Sequence, residues 1–378
     1  MNALFIGPYR QNDEWGLASR RYIKAIATAV PNISIRPIYL SSNILPELDD
    51  EFIKYEHTHY DHYDIVYQKA LPHCFVPQTM TKRNVGIFAW HTNNISRSNS
   101  IYTLNHMSEI CVSSNQEARS LKLSGVTAPI RIISQPLDVA DIRLSQEAPA
   151  STAFGFDPMI ERSFKFYTIV DYVQSHNLLD IVLAFNLAFR DIDNVSLIIH
   201  AQKPGLSSTE CHKKISEDIQ HLKQKMNIGP RPKKEVLITQ NLPDNGLMLM
   251  HKACDCYVST PLGSSFCRRT AEALCLGKTP IVTDHTGMTD YINNENGFLI
   301  KSQKTPVLVS EKTLSNEFDI YNANEYWYQP NIYSLIEHMQ NVYTMYRKNK
   351  DKLIQKRQLG INMLDTFSYE NIGKKICN

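Results

Sequence analysis

The chain has 378 residues, 43% hydrophobic and 21% charged, which is enough for two domains or one large one and needs no disulfide or metal staple. A formal net charge of +2 argues against a nucleic-acid partner. No run reaches the roughly 18 consecutive apolar residues that span a bilayer. The opening MNALFIGPYR lacks the pattern of a secretory leader, so the expectation is a cytoplasmic protein.

In chain order, Ala3 to Ile6 reads as a strand closed by Gly7-Pro8, followed by a loop holding Gly16 and a helix over Ala18 to Ala29. Further strands are expected at 33–40, 64–68, 84–89, 110–113 and 130–134, with a helix over 116–124. Residues 139 to 160 are polar and carry little periodicity, which predicts a linker. The alternation then restarts, with strands at 165–170, 195–200, 236–238, 254–260, 280–283 and 297–300. Helices are expected at 177–190, 216–225, 247–253 and 269–276. Residues 301 to 328 read as a long loop, and 331 to about 364 as helical. Strands alternating with helices on both sides of a linker predict an α/β fold of two doubly wound halves. Ligands of such sheets bind beyond the carboxyl ends of the strands.

Eight cysteines show no paired spacing; Cys254 and Cys256 share a strand face without a second ligand pair, so zinc is not expected. The short basic runs Arg231 to Lys234 and Lys374-Lys375 read as solvated surface, with an anionic membrane surface or lipid-linked acceptor as the alternative contact. No GxGxxG follows the first strand, which disfavours a dinucleotide oxidoreductase.

The most informative stretch is ACDCYVSTPLGSSFCRRTAEALCLGKTPIVTDHTGMTDYINNENGFLI, Ala253 to Ile300. A Gly-Ser-Ser loop before a helix is a ready anion site, because backbone N–H groups and the helix dipole face the ligand. Glu272, near the start of that helix, is within reach of a sugar hydroxyl, or is an ordinary exposed glutamate.

This stretch resembles the nucleotide-sugar segment of the large retaining glycosyltransferase family with the GT-B fold, the glycosyl transferases group 1. Asp255 matches the strand-leading aspartate, Ser264-Ser265-Phe266-Cys267 stands where the family has EGFG, and Glu272-Ala273 matches its EA. Gly277 to Val282 matches G-x-P-V-I with one extra residue, and Asn296 to Ile300 the final turn. GVTAPIRIISQPLD (125–138), ICVSSNQEARSL (110–121) and DNVSLII (193–199) extend the likeness over nearly the whole chain.

The resemblance implies two Rossmann-like domains facing across a cleft. An acceptor-side domain would span 1–150 and a nucleotide-sugar domain 151–355, with a helix in 356–378 returning to the first domain. It implies that Glu272 binds the donor ribose, while Ser264 replaces a first glutamate with an uncharged hydroxyl. His176 and Asn177 fall where the family has a lysine and its neighbour. Histidine, with a pKa of about 6.5, is a poorer constant cation. Arg268 and Arg269 in the donor loop are candidates to restore charge beside the diphosphate, or point to solvent. Gly16 stands at the family's phosphate-approach glycine, and Arg20 follows one turn later. Phe88 to Thr92 resembles the strand end whose histidine, here His91, contacts the transferred sugar or acceptor.

The implied activity is metal-independent, retaining transfer of a sugar from a nucleotide-diphosphate-sugar co-substrate, with no other cofactor. The acceptor would be a glycan, a lipid-linked glycan or another acceptor. The rival readings are a non-catalytic GT-B partner subunit or binding module, and a solute-binding protein or nucleotide-sugar epimerase on the same scaffold.

Overall fold

A computed structural model describes residues 1–95, 98–147, 155–190, 194–228, 234–307, 321 and 324–378. The first half alternates β1 (Asn2–Gly7), α1 (Glu14–Ala29), β2 (Asn32–Pro37), α2 (Asp50–His57), β3 (Ile65–Lys69), β4 (Arg83–Ile87), α3 (Ser98–Asn105), β5 (Glu109–Val112), α4 (Asn115–Leu123) and β6 (Ile130–Ile132). Its strands form one parallel sheet in the order β2-β1-β3-β4-β5-β6. The helices α5 (Val139–Glu147) and α6 (Pro158–Glu161) follow.

The second half runs β7 (Phe164–Asp171), α7 (Leu178–Ala188), β8 (Val195–Gln202), α8 (Ser208–Lys225), β9 (Lys234–Ile238), α9 (Asp244–Ala253), β10 (Cys256–Ser259), α10 (Arg268–Cys275), β11 (Ile281–Thr283) and β12 (Phe298–Ile300). These strands form a second parallel sheet, β12-β11-β10-β7-β8-β9. The antiparallel pair β13 (Ser302–Pro306) and β14 (Tyr326–Pro330), then α11 (Ile332–Lys348), α12 (Lys350–Ile361) and α13 (Tyr369–Cys377), complete the chain.

The strands are buried on both faces, as parallel sheets require. Phe164, Phe166, Leu197, Ile199, Val258 and Ile281 are at most 2% exposed and anchor the second core under α7 and α11. In the first half Phe5, Ile35, Tyr67 and Val85 pack beneath α1, and Ile372 and Ile376 of α13 join the same cluster. Helix α13 lies along α1 so closely that a Cβ at Gly373 would collide with the carbonyl of Ala25. None of the described helices is long and apolar enough to cross a membrane.

Three expectations are corrected. The described part of 139–160 is not an aperiodic linker but carries α5 and α6; residues 148–154 of that span lie outside the described residues, as do Arg231 to Lys233. The described part of the expected loop over 301–328 carries β13 and the start of β14, while residues 308–320, 322 and 323 lie outside the described residues. The polar sequence SQKTP hides β13, and buried Trp327 of β14 anchors the pair against Leu262 and Val307. The expected helical tail is two helices, broken at Asn349, whose side chain caps α12 by accepting from the Lys352 N–H.

In each sheet the chain reverses its direction of winding at one point, between β1 and β3 in the first and between β7 and β10 in the second. The loops that leave these strands face each other, and they define the crevice where a doubly wound sheet places its ligands.

Candidate active site between the two sheets

The first wall of the crevice is the β1–α1 turn. Helix α1 begins at Glu14, four residues before the expected start, because the Asp13 side chain caps it by accepting from the Gly16 N–H at 2.9 Å. Gly16 therefore lies in the first helical turn and not in a loop. It must be glycine because the 8–13 segment folds back on it, and a Cβ would collide with the Gln11 carbonyl. Arg20 braces the same segment, donating from Nη1 to the carbonyls of Tyr9 at 2.6 Å and Gln11 at 2.9 Å. Its guanidinium is thus spent on holding the turn.

Sequence reasoning missed Lys69, the last residue of β3. It is 6% exposed, donates to the Trp15 carbonyl at 3.3 Å and lies 4.6 Å from the centre of the Trp15 ring. Burial lowers its pKa from 10.5 to about 7. The unfolded chain therefore binds more protons than the native one between about pH 7 and 10.5, so this residue's stability contribution is lost as pH falls through that window. Below about pH 7 its full cost is present. Lys69→Met is expected to raise the melting temperature by a few °C at pH 6 and by much less at pH 10, measured by thermal unfolding at both values.

The second wall is the β10–α10 loop. Gly263 packs on the backbone of His91, and Gly287 packs on the Ser265 carbonyl with Ser114 of the first half beside it; a Cβ at either glycine would collide. The Gly287 N–H donates to the Ser264 carbonyl at 2.8 Å. Phe266 faces away from the crevice and forms core with Tyr291 and Phe367. The Tyr291 hydroxyl donates to the carbonyls of Phe266 and Cys267. Cys267 caps α10 with φ of 59°. That left-handed geometry explains why the resembled family has glycine there, and the cysteine costs about 1–2 kcal/mol of backbone strain.

At the start of α10 the charges converge. Glu272 is fully buried and accepts from Arg268 Nη1 at 2.8 Å, Arg269 Nη1 at 3.0 Å and Arg21 Nη1 at 3.4 Å. Although burial opposes the charged form, these guanidinium groups hold the Glu272 carboxyl far below the usual carboxylate range. His251 Nε2 stands 3.9 Å behind it, and burial lowers this histidine to about 3, which keeps it neutral. Arg268 and Arg269 also pair with Asp244 at 3.3 and 3.0 Å. Arg268 reaches across to Glu14 of α1, with Nε donating at 3.0 Å and Nη2 closing a bidentate pair. A cavity of about 420 Å³ adjoins this cluster, walled by Arg20, Arg21 and Lys24 against Asp49, Asp141 and Asp244.

The two expected histidines meet from opposite halves. His91 follows β4, and its Nδ1 hydrogen-bonds the Tyr321 hydroxyl at 3.0 Å. Burial, with a smaller contribution from nearby His176, lowers its pKa to about 4. His176 Nδ1 lies 3.1 Å from the Asp171 N–H and 3.0 Å from the Asp171 carbonyl, so the backbone of Asp171 holds the ring. Asn177 adopts a left-handed φ of 54°, and its amide is taken by Asp180 at 2.8 Å rather than turned into the crevice.

Glu117 was also missed. Its buried carboxylate accepts from the N–H groups of Trp90 and Ser113, both at 2.8 Å, and so fixes the strand end that carries His91. The signal was present as Ser114-x-x-Glu117, a capping-box spacing at the start of α4. The β13–β14 pair completes the enclosure: the Asn93 N–H donates to the Tyr326 carbonyl at 2.9 Å, and the Thr92 hydroxyl to buried Glu325 at 2.7 Å. Of the expected residues, the structure gathers Glu14's neighbour Gly16, His91, His176, Ser264, Ser265, Cys267, Arg268 and Glu272 around one crevice. It turns Arg20, Asn177 and Phe266 to local structural contacts.

Residues 217–327 match the family model described as Glycosyl transferases group 1. The N-terminal domain of trehalose-6-phosphate phosphatase from Candida albicans superposes with a TM-score of 0.68 at 10% identity, over 100% of this chain and 96% of that one. Sucrose-phosphate synthase from Thermosynechococcus elongatus superposes at 0.62 with 13% identity, over 100% and 97% of the chains. The fold is GT-B. HepE from Anabaena, in complex with UDP and glucose, gives 0.59 at 13% identity over 100% and 98%. No curated protein matches the chain. The likeness to the glycosyl transferases group 1 thus falls on residues 217–327 of a chain whose fold is GT-B.

Proposed function

We propose that the protein transfers a sugar from a nucleotide-diphosphate-sugar donor to a glycan, a lipid-linked glycan or another acceptor, with retention at the anomeric carbon and without a metal ion. The observation that carries this reading is the convergence of Arg268, Arg269 and Glu272 at the start of α10 on the side of the cleft faced by His91 and His176. Transfer requires stabilisation of a departing diphosphate. Arg268, Arg269 and the first N–H groups of α10 are the hydrogen-bond donors it would meet there, and Glu272 orients the two guanidinium groups. Enclosed by three arginines, Glu272 meets a donor ribose once Arg268 shifts. His91, neutral at physiological pH, offers a hydrogen bond to the transferred sugar or to the acceptor hydroxyl, and Tyr321 and Glu117 hold it in place. Contact of the halves at His91–Gly263 and Asn115–Asp290 excludes water from the reacting centre. A lipid-linked acceptor would bring the reaction to the inner face of a membrane.

The test is incubation with a panel of nucleotide sugars and acceptor glycans, with uridine donors first because the Anabaena protein is held with UDP and glucose. Nucleoside diphosphate release and the anomeric configuration of the product are followed by NMR, with and without EDTA. Retained configuration and undiminished turnover in EDTA support the reading; inverted product or metal dependence overturns those parts of it. Donor binding without turnover favours a nucleotide-binding partner subunit, for which the uncharged Ser264 and the fully matched arginines are the specific support.

A further inference from the structure

The charged cluster at the start of α10 is balanced. Three guanidinium groups, Arg21, Arg268 and Arg269, face three carboxylates, Glu14, Asp244 and Glu272. The imidazole of His251 adds no charge. A diphosphate arriving at this cluster as it stands gains no net positive potential.

The three carboxylates are not equivalent. Glu272 has a side chain 1% exposed and sits beneath the arginines, whereas Glu14 is 57% exposed and lies on the solvent side. Asp244 and Glu272 belong to the same half as Arg268, while Glu14 comes from the opposite half. Glu14 grips Arg268 through both carboxylate oxygens, from Nε at 3.0 Å and from Nη2, the geometry in which a guanidinium binds either a carboxylate or a phosphate. Release of Glu14 to water restores the hydration of its carboxylate at the expense of its pairs with Arg268 and Arg269, which hold its pKa down at about 2 against the opposing effect of burial, and it leaves the cluster one positive charge in excess.

We propose that Glu14 is an internal surrogate for the donor diphosphate: its carboxylate and the diphosphate compete for the guanidinium of Arg268, so donor binding displaces Glu14 and loosens the α1–α10 contact between the halves. This rests on the donor reading given above. Glu14 then sets donor affinity without touching the sugar, and Arg21 with Glu272 is left as the pair that joins α1 to α10. The device also disfavours weakly charged ligands, because displacement of Glu14 is compensated only by a ligand with more negative charge to offer.

The experiment is isothermal titration of the full chain and of Glu14→Gln with UDP and GDP at low ionic strength. Gln keeps the size of the side chain and removes its charge. The expected result is on the order of 5- to 10-fold tighter binding of the preferred diphosphate by Glu14→Gln, with uridine alone unaffected. Glu14→Asp, which keeps the charge and shortens the reach, is expected to fall in between. Equal or weaker diphosphate binding by Glu14→Gln overturns the competition while leaving the donor reading in place. Binding of neither diphosphate by any of the three proteins overturns both.

Discussion

Glu272→Ala is expected to abolish measurable nucleotide binding and to destabilise the protein by about 3–5 kcal/mol, the cost of leaving buried charges without their partner. The side chain is completely buried, and it is the shared acceptor of Arg21, Arg268 and Arg269. Arg268 keeps Glu14 and Asp244 after the substitution, but Arg21 keeps only Asp244, at 3.9 Å. Arg21 therefore loses most, and it belongs to the half opposite Glu272, so the damage spreads across the cleft. The carboxyl is held far below its ordinary range, so its contribution is present above the unfolded value of 4.5 and is lost only as pH falls into strong acid. The excess instability of Glu272→Ala should hence be constant from pH 6 to 9. Urea unfolding across that range, paired with nucleotide titration, checks both parts. A stable variant that still binds nucleotide would remove Glu272 from the site.

His91→Ala is expected to lower kcat by about 10²- to 10³-fold while nucleotide affinity stays within a factor of two. The ring follows β4 of the first half, makes no ion pair or hydrogen bond with Arg268 or Arg269 among the described residues, and is held by Tyr321 at 3.0 Å. With a pKa near 4, the neutral form dominates until the solution is distinctly acid. Protonation of the ring should hence lower wild-type kcat below about pH 5. Steady-state kinetics across that pH, with a proposed donor and acceptor, tests it. An unchanged kcat in His91→Ala would assign the ring to packing.

The parallel sheets were legible because their strands are continuous apolar runs, such as FKFYTIV and VSLIIH, bounded by turn residues. The α10 segment was legible because a glycine-bearing loop, a helix start and a carboxylate follow one another in the order of the resembled pattern. What escaped was set by contacts distant in sequence. Nothing local in SQKTP marks β13, and the aromatics of YWYQP favour a strand without naming its partner; the two are strands because each pairs with the other and Trp327 packs on Leu262. Asp13 and Glu14 signalled the early start of α1, but the glycine in its first turn masked it. Arg20 and Asn177 matched positions of the resembled pattern, yet spacing does not report where a side chain turns. One braces a turn and the other binds Asp180. Lys69 closes a strand as an ordinary polar end would, and only the three-dimensional arrangement places it under Trp15.

The position of α13 bears on how the protein is made. Ile372 and Ile376, both fully buried, belong to the core of the first half, and Arg83 and Arg131 tie the backbone of Cys377 and Lys375 to the first sheet. Domains emerging from the ribosome generally fold in order of synthesis. Here the half translated first waits, with part of the apolar face of α1 uncovered, until the whole second half has been translated and residues 369–377 arrive. Completion of the first core is therefore tied to the last residues of the chain.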